Sequence, residues 1–308
     1  LGDGLDRISD SNVPGEESLV VFGPGITSSS VTLTTYLGQV LVRPGAAFEG
    51  VTIGADSSDV LGVRAVDRFQ FADGSSITYT ELVTRGFDFD GTENGESIGG
   101  TNLTDRITAR GGSDSIQSDA GDDTIDAGAG DDVVFAGAGN DTVLGGEGND
   151  TIFAGAGNDT VAGGAGDDTI YGQGGADIID GGTGNDRFVG TPGSYTYAFG
   201  TGSGQDIVDT GQGGTYTIQM SAGVLPSDVT VGRVGQIITL SLNGGFDTLT
   251  LPSFYVNHAL HVQFADGTMW DADTIHNQAG DSRQVGTSDA DLLFGYNGFP
   301  DELIGLAG

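Results

Sequence analysis

An aspartate returns every nine residues through the middle of the chain, at Asp105, Asp114, Asp123, Asp132, Asp141, Asp150, Asp159, Asp168, Asp177 and Asp186, with Glu96 one interval earlier. A single loop acid is ordinarily just solvated. Ten in phase point to a shared task. An acid–base pair needs two carboxyls in distinct environments, and adjacent acids such as Asp131 and Asp132 fall in the same register as the rest. Cation binding is the chemistry that a periodic array of carboxylates serves. Calcium suits a flexible cage of six to eight oxygens, whereas magnesium demands a tighter octahedron and keeps its waters. Carboxylates joined by loop carbonyls can build the first kind of cage, so Ca2+ is the expected cofactor.

Two further phases accompany the acid. With Asp150 at position six of a nonapeptide, position four is glycine at Gly112, Gly121, Gly130, Gly139, Gly148, Gly157, Gly166, Gly175 and Gly184. Position eight is apolar in each repeat from Ile98 to Phe188, and β-branched in all but the last. The last three residues of a repeat, such as Thr151-Ile152-Phe153, are expected to form a short strand with its middle side chain in a narrow core. The first six, such as 145–150, are expected to turn the chain, using glycine for positive φ. Two nonapeptides then make one coil, and equivalent residues on one edge are 18 apart. Asp123 lies above Asp141, and strand spacing of ~4.8 Å leaves the carboxylates to repel or to share a cation.

Residues 109–189 contain nine consecutive copies of this pattern and resemble the RTX nonapeptide G-G-x-G-x-D-x-U-x. The resemblance implies a parallel β-roll, an all-β solenoid with calcium between successive loops on each edge. It implies sites between Asp114 and Asp132, Asp123 and Asp141, Asp132 and Asp150, Asp141 and Asp159, Asp150 and Asp168, Asp159 and Asp177, and Asp168 and Asp186. Loop oxygens near Gly128, Gly130, Gly137, Gly139, Gly146, Gly148, Gly155, Gly157, Gly164 and Gly166 would complete them. Repeats 91–99 and 100–108, GTENGESIG and GTNLTDRIT, lack the glycine at four and are expected to cap the roll with a weaker or missing ion. The resemblance also implies type I export and a secreted or cell-surface location.

Composition agrees with an ionic device. The 308 residues carry 44 acidic and 10 basic side chains, for a net charge of −34, which excludes nucleic acid and anionic membranes as natural partners. No apolar run approaches the ~18 residues of a membrane span. With no cysteine, neither disulfides nor zinc thiolates can staple the fold. Fifty-seven glycines are more than twice the ordinary ~7%, so a conventional core through the whole chain is not expected. Residues 91–189 hold 19 acids against three bases, a local charge of −16. Without metal, that repulsion and glycine entropy oppose compaction; with it, binding energy becomes folding energy.

Five segments are expected: 1–9, the end of a preceding RTX block; 10–90, a β domain; 91–189, the roll; 190–285, a second β domain; and 286–308, the start of a further block. Asp6 in LGDGLDRIS and Asp291 in GTSDADLLFG occupy position six of the partial blocks and join the candidate ligands. The chain is therefore expected to be cut from a longer protein. In the two β domains 25–33, GITSSSVTL, parallels 223–231, GVLPSDVTV, and Phe69-Gln70-Phe71-Ala72-Asp73-Gly74 parallels Val262-Gln263-Phe264-Ala265-Asp266-Gly267. Their apolar–polar alternation predicts small antiparallel sheets. The stretches 195–209 and 264–270 resemble the haemolysin-type calcium-binding related domain.

Other chemistry is thin. His258 and His261 are three apart, so an extended chain sets them on opposite faces, and no third ligand is nominated for them or for His276. Trp270 is expected to pack. No nucleophile elbow or phosphate loop is present, so no catalytic role is expected. Position nine carries Phe135, Phe153 and Tyr171, 18 apart and in a column on one outer face. Such a column suits a neighbouring module, another copy of the chain, or a glycan. The expected function is a calcium-binding spacer, adhesin segment or assembly unit; the alternatives are a noncatalytic, glycan-binding region of an extracellular enzyme and, third, a toxin tail.

Overall fold

A β-branched residue at every ninth place favours short strands, and the computed structural model stacks them as a parallel β-solenoid of about seven turns in a chain that is nearly all β. The structure describes residues 5–8, 19–36, 39–43, 50–56, 66–190, 193–210, 214–234, 237–252 and 260–279. Contacts divide the chain into two units, residues 1–147 with 152–159, and residues 148–151 with 160–308.

In the first unit, strands Phe87–Asp90, Asp105–Thr108, Thr124–Ala129 and Thr142–Glu147 pair in parallel, with Phe89, Ile107, Ile125 and Val143 in one row. Ser97–Thr101, Ser115–Asp119 and Val133–Ala138 form the facing sheet, with Ile98, Ile116 and Val134 in line. In the second unit, Thr160–Ala165, Ala176–Thr183, Gly193–Phe199 and Gly214–Met220 pair in parallel, and so do Thr169–Gly174, Arg187–Gly190 and Gln205–Thr210. Every position-eight residue from Ile107 to Phe188 is buried. The 18-residue register read from the sequence is the register of the sheets.

The strands are longer than the three residues expected. Thr151–Ala156 runs through positions seven, eight, nine, one, two and three, so only positions four to six turn. Position one also faces inward: Ala109, Ala127, Ala136 and Ala154 are fully buried. It stays small because the aspartate of the same repeat folds back over it; a Cβ on Gly163 or Gly181 would collide with Oδ2 of Asp168 or Asp186. A small residue carries little hydrophobic signal, which is why the period alone misses it. Position two has positive φ, as at Gly146 (117°), where a Cβ would collide with the Gly128 carbonyl oxygen one coil away. Arg110, Asp119 and Gln173 hold the same left-handed conformation without being glycine.

Outside the block the antiparallel strands are present. Thr230–Val234, Ile237–Leu242 and Asp247–Pro252 form a meander, as do Thr32–Tyr36, Gln39–Arg43 and Gly50–Asp56. The segment after 189, however, first continues the parallel pairing, through Gly193–Phe199, Gln205–Thr210 and Gly214–Met220. Alternation of period two does not distinguish parallel from antiparallel partners, so this was not legible. Aromatic rings replace β-branched side chains there: Tyr197 stacks on Phe188 at 5.1 Å and Tyr195 on Tyr216 at 6.0 Å. The two flanking segments share local structure as well as sequence. A 3-10 turn precedes each meander, at Ser28–Ser30 and Pro226–Asp228. Each FADG loop closes with the same pair of bonds, Phe71 N to Ser75 O and Gly74 N to Phe71 O in one, Phe264 N to Thr268 O and Gly267 N to Phe264 O in the other, at 2.9 and 3.0 Å, and then leads to a short helix.

The Tyr197 hydroxyl is buried without a hydrogen-bond partner, and burial holds its pKa well above the usual phenol range. An unsatisfied buried hydroxyl costs about 1–3 kcal/mol. Tyr197→Phe keeps the ring stack and should raise stability by about 1 kcal/mol, read as a higher Tm in saturating calcium; a lower Tm would show that the hydroxyl has a partner.

Candidate metal centres

Each aspartate of the register ends a turn between two strands. In seven of them Oδ1 accepts the backbone N–H of the position-six residue 18 places earlier. In the first unit the donors Glu96, Asp105, Asp114, Asp123 and Asp141 lie 2.7–2.9 Å from Asp114, Asp123, Asp132, Asp141 and Asp159 respectively. In the second, Asp150 donates to Asp168 at 2.8 Å and Asp168 to Asp186 at 2.9 Å. All ten aspartates from Asp105 to Asp186 are at most 3% exposed. The other oxygen is left over: Oδ2 of Asp114, Asp123, Asp141, Asp168 and Asp186 is buried and accepts no hydrogen bond.

A buried, half-satisfied carboxylate is costly unless it is neutralised. Burial, reinforced by neighbouring carboxylates, pushes Asp168 up to about 7 and Asp141 and Asp186 up to about 6, and raises Asp114 and Asp123; burial alone raises Asp159. The ion pairs Arg106–Asp88 and Arg187–Asp209 lie on outer faces, away from these oxygens. Among the described residues no three His, Asp or Glu side chains cluster as a metal site, so backbone oxygens must supply the rest of a coordination shell. They stand in the right place. A Cβ on Gly155, Gly157, Gly182 or Gly184 would collide with the carbonyl oxygen of Gly137, Gly139, Gly164 or Gly166, which faces the next loop. Buried carboxylate oxygens beside stacked carbonyls fit a hard, oxygen-loving dication.

The ten loop glycines predicted beside the ligands, Gly128, Gly130, Gly137, Gly139, Gly146, Gly148, Gly155, Gly157, Gly164 and Gly166, all adopt positive φ. The first two acids differ from the rest. Asp105 Oδ2 accepts the Thr101 N–H at 2.7 Å and Oδ1 its hydroxyl at 3.0 Å, and Glu96 accepts the Thr92 N–H. Protein donors stand there where other loops leave an oxygen open. Asp6 lies in strand Leu5–Ile8, paired with Val51, and not in a stacked loop; Asp291, His258 and the block 286–308 lie outside the described residues.

Two features escaped the sequence reading. Position five forms a second, exposed ladder: the Asn140 N–H donates to Asp122 Oδ1 at 2.8 Å, Asn158 to Asn140 at 3.0 Å, and Asn185 to Asp167 at 2.8 Å. The Asn or Asp that precedes seven of the ten aspartates was its signal. Asp206 extends the buried ladder, accepting the Asp186 N–H at 3.0 Å, but it comes 20 residues later and so falls out of frame. The aromatic column takes shape in the first unit, where Phe135 and Phe153 stack at 4.8 Å with ring planes 3° apart. Tyr171 is half-buried. Trp270 packs edge-on against Phe264, and His276 Nδ1 contacts the carbonyl of Ala272 in its own helix.

The raised pKa values fix a pH dependence. A carboxylate titrating higher in the folded metal-free chain than its ordinary 3.8 binds more protons folded than unfolded up to about 7, so metal-free stability falls as pH rises across that window. With calcium chelated, the chain should be more compact at about pH 5 than at about pH 8 by sedimentation, whereas calcium affinity should increase over the same interval as protons leave. Equal compaction at both would mean that the carboxylates are not buried.

Comparison with known families matches the RTX calcium-binding nonapeptide repeat (4 copies) to residues 99–134, 127–161 and 153–188. No curated protein matches the chain. No described helix is long and apolar enough to cross a membrane. Repeats of this kind bind Ca2+, and their match to the very loops that bury the aspartates identifies residues 99–188 as an RTX calcium-binding β-roll.

Proposed function

We propose that the chain is a structural module of a large secreted or cell-surface repeat protein, folding when it reaches a calcium-rich exterior and serving as spacer, adhesin segment or assembly unit. The observation that carries this reading is the buried aspartate ladder in which Asp114, Asp123, Asp141, Asp168 and Asp186 each keep one oxygen for a cation. Extracellular calcium modules work near 10⁻⁴–10⁻³ M, so such a ladder stays open in a low-calcium cytosol and closes outside. An unfolded chain suits passage through a narrow export channel, and RTX repeat proteins are typically secreted. Type I export fits both. A noncatalytic role fits a block in which the buried acids are committed to a neighbouring coil.

A second reading, a glycan-binding region of an extracellular enzyme, is favoured by one observation: Phe135 is 42% exposed and stacked flat on Phe153, which offers a ring face to a sugar. The same face suits another copy of the chain or a neighbouring module.

Sedimentation velocity across a calcium titration, with magnesium as control, tests the first reading. Calcium alone should compact the chain; a shape that ignores calcium overturns it. Larger species in calcium would favour assembly. Phe135→Ser with Phe153→Ser should abolish glycan capture or calcium-dependent association if the column is a contact face, and leave both unchanged if it is not.

A further inference from the structure

The two flanking segments pair their strands in the same registers. Leu33 stands opposite Val42 as Val231 stands opposite Leu240, and Val42 opposite Val51 as Leu240 opposite Leu249. The third meander strand then takes a parallel partner from the chain before it. Asp6 lies opposite Val51 as Asp206 lies opposite Leu249, so both copies receive that partner in one register.

In the first copy the first meander strand is occupied as well. The helix Tyr79–Val83 contacts Thr32–Tyr36, and three residues beyond its C-cap Thr84 the chain returns as Phe87–Asp90, the first strand of the roll, with Phe87 opposite Leu33 in parallel. Leu33 is fully buried there and Val31 is 2% exposed. In the second copy the helix Ala272–Gln278 contacts Thr230–Val234 in the same way. Yet that strand ends its sheet among the described residues, with Ile237–Leu242 as its one strand partner. The matched Val229 and Val231 are only half-buried, and Val234 is 80% exposed.

We infer that Thr230–Val234 is an exit edge that seats the first strand of a further roll, supplied by residues 280–308, which leave the second helix and lie outside the described residues. Each flanking segment then joins two rolls through main-chain pairing, the earlier on its third meander strand and the later on its first. This deepens the spacer reading above and rests on it.

Spacing, edge chemistry and paired changes choose this occupant. Gly91-Thr92 follows the C-cap Thr84 by seven residues, and Gly286-Thr287 follows the C-cap Ala279 by seven. The first copy's register therefore sets Ser282 opposite Val231. An open strand edge templates pairing with other chains unless proline, bulges or charges blunt it. Thr230–Val234 has no proline, one charged residue and five consecutive pairs without a shift in register. Partners across the joint also change together. Arg43 pairs with Asp90 at 3.2 Å in the first copy, and the matched places hold Ser241 and Val285, both uncharged. Leu41 and Phe89 line one cavity there, and Thr239 and Gln284, both polar, replace them. Losing one charge alone would strand the other at the joint, so losing both is what a retained contact requires.

The chain has no cysteine, so introduced thiols report alone. Neighbouring strands lie ~4.8 Å apart, within disulfide reach. In the full chain with calcium, Val231→Cys with Ser282→Cys should close an intramolecular disulfide about tenfold faster than Val231→Cys with Asp301→Cys, which only the tether brings together. Equal rates overturn the inference, and so do disulfide-linked dimers, which would place a second copy on the edge. Compaction by calcium without closure fails the edge alone, whereas no compaction of the unsubstituted chain fails the calcium reading too. If the substituted chains do not compact, hydrogen exchange of the unsubstituted monomer decides. Amides of 230–234 that exchange as slowly as those of 32–36 support a covered edge, and faster exchange overturns it.

Discussion

Everything in the roll depends on the contact between one loop's backbone N–H and the carboxylate of the loop one coil later. It removes the aspartate from water and spends only one of its oxygens, as with Asp141 on Asp123 at 2.9 Å. The remaining oxygen, on a group that burial makes hard to ionise, is an electrostatic debt that packing alone cannot settle. The hydrophobic core does not offset it, because the inward row at position one is alanine, glycine or serine and only position eight brings a full side chain. A thin core with stacked buried acids is a fold in which the cation is a structural part.

The sequence made this reading possible because the three phases that matter were chemically loud. Aspartate at six, glycine at four and a β-branched residue at eight fix the register, and the strand pairings of Ile116 with Ile98 and Val134 repeat it residue for residue. What stayed hidden was quiet or out of frame. Position one is core but small. Asp206 carries the full pattern two residues out of step. Tyr195 stands opposite Asp177 in the sheet, so the frame that yields aspartate on one edge yields an aromatic ring at the place of the next ligand. The parallel pairing of Gly193–Phe199 was illegible for a simpler reason, since an alternating strand looks the same whichever way its partner runs.

Protein donors replace the cation where the pattern stops. Thr101 supplies an N–H and a hydroxyl to Asp105, and Asn243 supplies an amide to Asp247. A repeat array must end somewhere, and an acid at its boundary lacks a neighbouring loop with which to share an ion. Side-chain caps let the buried register finish without leaving a charge unmet, much as a capping residue finishes a helix.

The ladder also has a direction. Each carboxylate reaches back to a coil earlier in the sequence, so a coil that has just formed presents a backbone N–H with nothing yet to hold, while the coil arriving after it brings the acceptor. A chain delivered amino end first would meet its own last turn as a template, and each new loop would dock in the order in which it emerged. The asymmetry of a single hydrogen bond, repeated from Asp114 to Asp132 and from Asp168 to Asp186, gives the stack unlike ends, one offering donors and the other acceptors.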